Sequence, residues 1–113
     1  MGRSKLVVIE SPYAGDVEEN LRYLRDAMRD CLMRGESPFA SHGLYTQPGV
    51  LLDSVPEERE HGITAGFAWR AVADATIVYD DLGITKGMEY GIKHAKDGGR
   101  PILYRSLPEW RNG

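Results

Sequence analysis

One segment of the chain, DDLGITKGMEYGIKHAKDGGRP (residues 80–101), combines residues that suit phosphate and sugar chemistry. Thr85 can either cap the helix that follows or bind a phosphate, and the positive charge of Lys86, beside Gly87, can neutralise one. Glu89 stands near the start of the same helix, and a carboxylate at the mouth of a sugar-binding site can attack an anomeric carbon. Two interpretations of Glu89 are therefore open, a nucleophile or an ordinary solvated glutamate.

A second loop, residues 11–16, joins a predicted strand to a predicted helix and has the sequence SPYAGD. Backbone N–H groups at the start of a helix are unpaired, so the loop that contains Ser11, Ala14 and Gly15 is a natural anion site. Tyr13 either contacts a base or a sugar hydroxyl, or is the partly exposed tyrosine of a plain turn. The loop is not a P-loop, because it lacks the glycine-lysine-serine ending.

Further polar residues lie in the other loops that follow predicted strands. Asp80 and Asp81 either hold ribose hydroxyls or a metal, or they form a turn, and Gly83 follows them in the same loop. His42 and Tyr45 belong to a long loop and are predicted to close over a ligand. No cluster of acidic residues, cysteine and histidine has the spacing of a metal site, so we expect neither a metal nor a cofactor.

Alternating apolar and amphipathic segments must position these residues. Runs of β-branched, aliphatic and aromatic residues predict strands at residues 6–9, 38–40, 75–79 and 102–104. Apolar residues at three- and four-residue steps predict helices within residues 16–35, 54–73 and 86–97. The middle helix, whose start is indicated by Ser54, is predicted to bury one apolar face: Ile63, Phe67, Ala71 and Val72.

Strands that alternate with helices predict a parallel sheet with helices on both faces. In such sheets ligands bind beyond the carboxyl ends of the strands, which is where the loops at residues 11–16, 41–55 and 80–86 are expected. Cys31 lies on the apolar stripe of the first helix and is predicted to belong to the core. Trp69 is open to three interpretations: packing, a dimer contact or a platform for a ligand.

Composition argues for one class of protein and against several partners. The 113 residues, 42% of them hydrophobic and 27% charged, are typical of one soluble domain spanning residues 1–113. A formal net charge of −3 disfavours a nucleic-acid partner, and no apolar run reaches the roughly 20 residues of a membrane span. A single cysteine cannot form an internal disulfide, which favours a cytoplasmic location. Open sheet edges in so small a domain favour a homo-oligomer, a dimer or higher.

Four stretches carry a resemblance to a known family: SPYAGDVEENL, PFASHGLYTQ, PEEREHGITAGFAW and DLGITKGMEYGI. From Leu6 to Leu103 the chain resembles the nucleoside 2-deoxyribosyltransferase-like fold family, and within it small uncharacterised proteins found often in phage and actinobacterial genomes. The resemblance implies a small Rossmann- or flavodoxin-like three-layer α/β sandwich with about four parallel strands in the order 2-1-3-4. For active members it implies a nucleophilic glutamate at the start of the last helix, an assisting aspartate on the preceding helix and a hydroxyl residue that binds the phosphate.

Two alignments of the last helix with that pattern are open. One makes Glu89 the nucleophile and needs two extra residues before the last strand. The other needs no gap, and it puts Gly91 at the glutamate position and Thr85 at the phosphate hydroxyl. The two alignments differ by two residues, about 200° around a helix, so Glu89 cannot satisfy both. The aspartate position falls on Gly66, which has no side chain.

We therefore favour a protein that binds a nucleotide or an ADP-ribose-like molecule without catalysis, with the phosphate on the loops at residues 13–16 and 83–85. Kinship with phage proteins adds the hypothesis that the protein sequesters a nucleotide immune signal. The alternative is transfer or hydrolysis of the N-glycosidic bond of a deoxynucleoside or its monophosphate, with Glu89 as nucleophile. A structural or protein-interaction module is the third possibility.

Overall fold

The computed structural model of the protein describes residues 3–111. Its elements are β1 (Leu6–Glu10), α1 (Val17–Met33), β2 (Ser37–Phe39), α2 (Ser41–Leu44), α3 (Pro56–Val72), β3 (Ala75–Tyr79), α4 (Lys86–Asp97), β4 (Ile102–Arg105) and α5 (Pro108–Arg111). The four strands pair in parallel in the order β2-β1-β3-β4. The predicted α/β class and strand order are therefore confirmed.

Helices cover both faces of this sheet and make a three-layer sandwich. α1 and α5 cover one face through an extended apolar cluster, which includes Ile9, Tyr23, Ile77 and Tyr79. α3 and α4 cover the other face, where the apolar cluster is small and consists of Val78, Met88 and Ile92. Because β3 is covered on both sides, all of its residues are buried, as its continuous apolar sequence predicts.

The first helix is held at its start by a side-chain cap at Asp16. The amide of Glu19 donates a hydrogen bond of 3.1 Å to Asp16 Oδ1, which satisfies one of the unpaired N–H groups of α1. Cys31 lies in the core cluster, as predicted. The indole of Trp110 packs edge-on against Tyr23 at 5.2 Å and donates a hydrogen bond to Asp26 at 2.8 Å, which anchors α5 on α1.

Several boundaries differ from the sequence prediction, and β1 and β4 each extend one residue further than expected, to Glu10 and Arg105. β2 occupies Ser37–Phe39, one residue earlier than expected. α3 begins at Pro56, with Val55 as its N-cap and no side-chain cap, so Ser54 does not start the helix. Proline is well suited to the first helical position because it has no N–H to satisfy. The predicted loop 41–55 is not wholly irregular, since it contains α2.

The buried face of α3 is also not the predicted one. Ile63 and Val72 are 44% and 60% exposed, whereas the residues that α3 buries are Gly66 and Arg70. Of the four predicted residues only Phe67 is half-buried, stacked on the His94 ring at 4.3 Å, and the prediction was wrong for the other three because it counted apolar side chains only. This helix approaches the rest of the protein through a glycine and a buried ion pair, which hydrophobic periodicity does not detect.

Two loops at the carboxyl edge of the sheet turn at glycines. Gly15, after β1, has a φ of +102°, and Gly83, after β3, has a φ of +92°. Both values lie in the left-handed region, where a side chain would be strained. These turns carry the chain from the central strands towards α1 and α4.

The helices are short and amphipathic. The longest, α1 and α3, have 17 residues each, and α4 has 12. Within residues 3–111, none combines the length and the apolar sequence that crossing a membrane requires.

Candidate functional site

A cavity of about 560 Å³ opens at the carboxyl end of β1 and is lined by residues of α2, α3 and the first turns of α4. Pockets for small molecules measure roughly 300–1,000 Å³, so this space suits an organic ligand. Most of the residues predicted from the sequence line it: Ser11, Tyr13, Ala14, His42, Tyr45, Thr85, Lys86 and Gly87. The fold therefore brings together side chains from three separate segments of the chain.

Five predicted residues do not line this cavity: Gly15, Asp80, Asp81, Gly83 and Glu89. Asp81 accepts hydrogen bonds from the Tyr23 hydroxyl at 2.6 Å and from the Leu107 amide at 2.8 Å. Burial, and then the hydrogen bond to Asp81, raise the pKa of Tyr23. These contacts give Asp81 a structural role away from the cavity, where it ties α1 to the segment after β4.

Glu89 is exposed and lies on another side of α4. It borders a separate depression, together with Ile84, Ile92, Lys93, Lys96 and Asp97. Gly91, two residues later, lines the main cavity. Because two residues correspond to about 200° of rotation around a helix, the structure directs Gly91 towards the cavity and Glu89 away from it.

The buried carboxylate that lines the cavity belongs to Glu10, the last residue of β1. Glu10 is 3% exposed and Arg70 is 7% exposed. Arg70 donates two hydrogen bonds to Glu10 Oε2, from Nε at 2.9 Å and from Nη2 at 2.6 Å. Burial raises the pKa of the Glu10 carboxyl, and the charge and hydrogen bonds of Arg70 oppose that rise.

Two glycines make room for this ion pair. A Cβ built on Gly91 would overlap the carboxylate of Glu10. A Cβ on Gly66 would lie 2.9 Å from Ser41 Oγ and 3.1 Å from Arg70 Nη1. The alignment that needs no gap puts the two carboxylates of the resembled family at positions that are glycines here, and the side chains of Glu10, Arg70 and Ser41 occupy the space beside those glycines.

Next to the ion pair lies a hydrogen-bonded pair of Ser11 and His42. Ser11 Oγ and His42 Nε2 are 2.7 Å apart. Burial, and then the nearby charge of Arg70, lower the pKa of His42 to about 4. His42 is therefore neutral at neutral pH, and it contributes hydrogen bonds to the cavity rather than charge.

An aromatic cluster supports one wall of the cavity. Trp69 Nε1 donates a hydrogen bond of 2.9 Å to the hydroxyl of Tyr45, and Phe39 stacks on the Trp69 ring at 4.9 Å. Tyr45 lines the cavity and Trp69 does not. Of the three interpretations of Trp69, the structure supports packing, because its indole positions Tyr45.

The start of α4 presents both a cap and unpaired amides. The amide of Met88 donates a 3.3 Å hydrogen bond to Thr85 Oγ1, so Thr85 caps the helix while it lines the cavity. The amides of Lys86 and Gly87 make no hydrogen bond with any described residue. Such a helix start favours anions, because its N–H groups and the helix dipole both carry partial positive charge.

Charged side chains of both signs surround the cavity. Arg59 and Lys86 are exposed and positive, and the Nε of Arg59 lies 3.7 Å from Asp53 Oδ1. Glu58 accepts a 3.0 Å hydrogen bond from the amide of Leu52, which holds the preceding loop against α3. Across residues 3–111 no group of three or more acidic, histidine or cysteine side chains is arranged to hold a metal ion.

Sequence reasoning missed the two central residues of the site, Glu10 and Arg70. Glu10 is the only charged residue of the run LVVIE, and a charge at the carboxyl end of a buried parallel strand is a signal for a site. Arg70 follows Gly62 and Gly66 at steps of four residues, so the three lie along one face of a helix. Glycines along one face of a helix indicate a close approach to a neighbouring element, so the arginine that ends this face is a candidate for a buried charge.

Comparison with solved structures relates the fold of the chain to that of a known protein. Among 12 matching chains of solved structures is a 2-deoxyribosyltransferase from the psychrotolerant bacterium Bacillus psychrosaccharolyticus. The two are 17% identical with a TM-score of 0.61, over 89% of this chain and 72% of that one. At this identity the likeness shows a shared deoxyribosyltransferase-like fold.

The family of the chain is defined by sequence. Residues 5–105 match the family described as "Domain of unknown function (DUF7768)", and the chain belongs to it. No curated protein matches the chain.

Proposed function

We propose that the cavity binds a nucleotide or an ADP-ribose-like molecule and leaves its N-glycosidic bond intact. The fold is similar to that of a 2-deoxyribosyltransferase, which supports a nucleoside-related ligand. The cavity has the volume for a nucleotide, with aromatic side chains for a base and an anion-favouring helix start for a phosphate.

The proposed absence of catalysis rests on two glycines, Gly66 and Gly91. Cleavage of a glycosidic bond requires one carboxylate that attacks or activates water and one acid that protonates the leaving group. In the alignment that needs no gap, this chain has Gly91 and Gly66 at the corresponding positions, and Glu89, which the other alignment favours, lies outside the cavity. Glu10 is engaged by two hydrogen bonds from Arg70, and the other carboxylates of the cavity, Asp53 and Glu58, belong to the loop before α3 and its first turn.

The parts of the ligand follow from the chemistry of the walls. The phosphate is proposed to bind the free amides of Lys86 and Gly87 and the ammonium group of Lys86, which has no ion-pair partner within the described residues. The base is proposed to lie between Tyr13 and Tyr45. The sugar then occupies the middle of the cavity, over Glu10.

Calorimetric titration with nucleosides, mono- and diphosphates and ADP-ribose tests the proposal. We expect binding by at least one phosphate-bearing ligand, weakened by Lys86→Ala and unaffected by the matched exposed change Lys93→Ala. Chromatography of the ligand recovered after denaturation should return it unchanged. A panel in which nothing binds would overturn the proposal.

The enzymatic alternative is favoured by the fold likeness to a 2-deoxyribosyltransferase. It requires release of free base from a deoxynucleoside or its monophosphate, and loss of that release in Glu89→Gln. Sequestration of a phage-related immune signal and assembly into a homo-oligomer stay predictions. Measurement of the mass of the native protein in solution tests the assembly into a homo-oligomer.

A further inference from the structure

We infer that Glu10 recognises the sugar, and that it selects ligands with an intact cis-diol, a ribose rather than a 2-deoxyribose. The inference rests on the proposed function and adds the class of sugar. Its basis is a buried carboxylate that has one oxygen engaged by protein and one oxygen left for a ligand.

The two oxygens of Glu10 have different surroundings. Arg70 donates both of its hydrogen bonds to Oε2, and no described residue donates to Oε1. Oε1 is nevertheless not sealed inside the protein, because Arg100 Nε is the only fully buried side-chain nitrogen or oxygen without a partner in residues 3–111. Since Glu10 lines the cavity, Oε1 is available to a donor on a ligand.

The charge of Glu10 decides which part of a nucleotide it can meet. The paired guanidinium of Arg70 favours the ionised carboxylate, which can only accept hydrogen bonds. Such a group repels a phosphate, for which the exposed cations Arg59 and Lys86 are suited instead. A donor is required, and hydroxyl groups of the sugar are the donors that every ribonucleotide carries.

The number of available oxygens favours a diol over a base. Recognition of a guanine edge by a carboxylate uses both oxygens against two parallel N–H groups, but Oε2 is already held by Arg70. One free carboxylate oxygen has two lone pairs, which can accept from two adjacent hydroxyls. The Ser11 and His42 pair adds further polar groups to the lining of the same cavity.

Pairs of ligands that differ only in the 2′-hydroxyl test the inference on the full chain. Calorimetry would compare AMP with dAMP, GMP with dGMP, and ribose 5-phosphate with 2-deoxyribose 5-phosphate, the last pair having no base. We expect each ribose form to bind about ten- to a hundredfold more tightly, as for a hydrogen bond to a charged group. The ratio should shrink in Glu10→Gln and persist in the matched surface variant Glu60→Gln.

The outcomes separate this inference from the proposed function. Equal binding of the ribose and deoxyribose forms would overturn the inference and leave nucleotide binding intact. A preference that follows the base rather than the sugar, or release of base that depends on Glu10, would also overturn it. If neither the six ligands nor the wider panel binds, both the inference and the proposed function are wrong. The wild-type ratios decide the matter even if Glu10→Gln does not fold.

Discussion

The two faces of the central sheet are built in opposite ways. Under α1 and α5, side chains such as Ile9, Ile77 and Tyr79 form a continuous apolar cluster. No buried residue of this cluster lines the cavity. Under α3 and α4, the same strands present Glu10 and Thr76, and the apolar cluster is confined to a few residues. The first face stabilises the fold by burial of apolar surface, and the second gives up part of that burial for polar groups and a cavity.

The difference shows how a site can be built beside a small core. A buried charge is costly unless it is paired and hydrogen-bonded, and Glu10 meets this condition through Arg70. Glycines at positions 66 and 91 allow the helices to approach that pair. The apolar face must then supply most of the stability, so changes on the two faces should have different consequences.

The largest effect is expected from breaking the buried ion pair. Arg70→Met leaves the buried Glu10 carboxyl without a partner, so it must either keep an uncompensated charge or take up a proton, and the free energy of unfolding should fall by about 3–5 kcal/mol. Urea denaturation followed by circular dichroism measures the loss. The double variant Glu10→Leu/Arg70→Met should recover most of it, because two apolar side chains leave no buried charge.

A small loss in Arg70→Met, of about 1 kcal/mol or less, would contradict this account. It would mean that water solvates Glu10 through the cavity and that the pair contributes no more than a surface salt bridge. The difference between the faces would then be one of shape rather than of charge.

The second effect concerns pH and the His42 side chain. The folded protein holds the pKa of His42 at about 4, below the ordinary value of 6.5. Between these two pH values the unfolded chain binds a proton that the folded chain does not, so the free energy of unfolding falls as the pH is lowered from about 6.5 to about 4. The full shift of the His42 pKa corresponds to a change of about 3 kcal/mol in the free energy of unfolding.

Urea titrations at several pH values, on the wild type and on His42→Asn, isolate this contribution. The raised pKa of Glu10 acts in the opposite direction, because the folded state then binds a proton more readily than the unfolded state. The contribution of Glu10 is present in both proteins, so it cancels in the difference between their pH profiles. Parallel pH profiles would show that His42 titrates normally and that its environment is wet.

The apolar face is the part of the molecule that sequence patterns predict well. The runs Leu6–Ile9 and 75–79, the amphipathic stripe of α1 and the cap at Asp16 all follow from local rules that the structure confirms. Parallel strand pairing and the carboxyl edge then follow from topology. These features depend on residues close in sequence and on burial of apolar side chains.

The polar face could be predicted only in part. Loop residues such as Tyr13 and Thr85 were found because turns and helix starts have local signals. Glu10 and Arg70 were not found, since they are 60 residues apart and each looks like an exception within its own element. Hydrophobic periodicity even assigned α3 the wrong buried face, because glycines and a paired charge replace the expected apolar stripe.

A conservative change on the apolar face should affect stability alone. Ile77→Val removes one methylene from a fully buried side chain, and we expect a loss of about 1 kcal/mol in the free energy of unfolding. Affinity for the ligand should be unchanged, because Ile77 does not line the cavity. Urea denaturation and calorimetry on the same preparation measure both quantities, and a change in affinity would show that the faces are coupled through β3.

The smallest effect is expected at Glu89. This glutamate is exposed and borders the depression on the far side of α4, so Glu89→Gln should change the free energy of unfolding by less than about 0.5 kcal/mol. Ligand affinity should also be unchanged, because Glu89 does not line the cavity, whereas Tyr90 and Gly91 of the same helix do. The same calorimetric titrations measure this affinity. Glu10→Gln serves as the comparison, because it is expected to lose affinity. If Glu89→Gln weakened binding and Glu10→Gln did not, the functional face of α4 would be the one that carries Glu89, and the carboxylate of β1 would serve the fold alone.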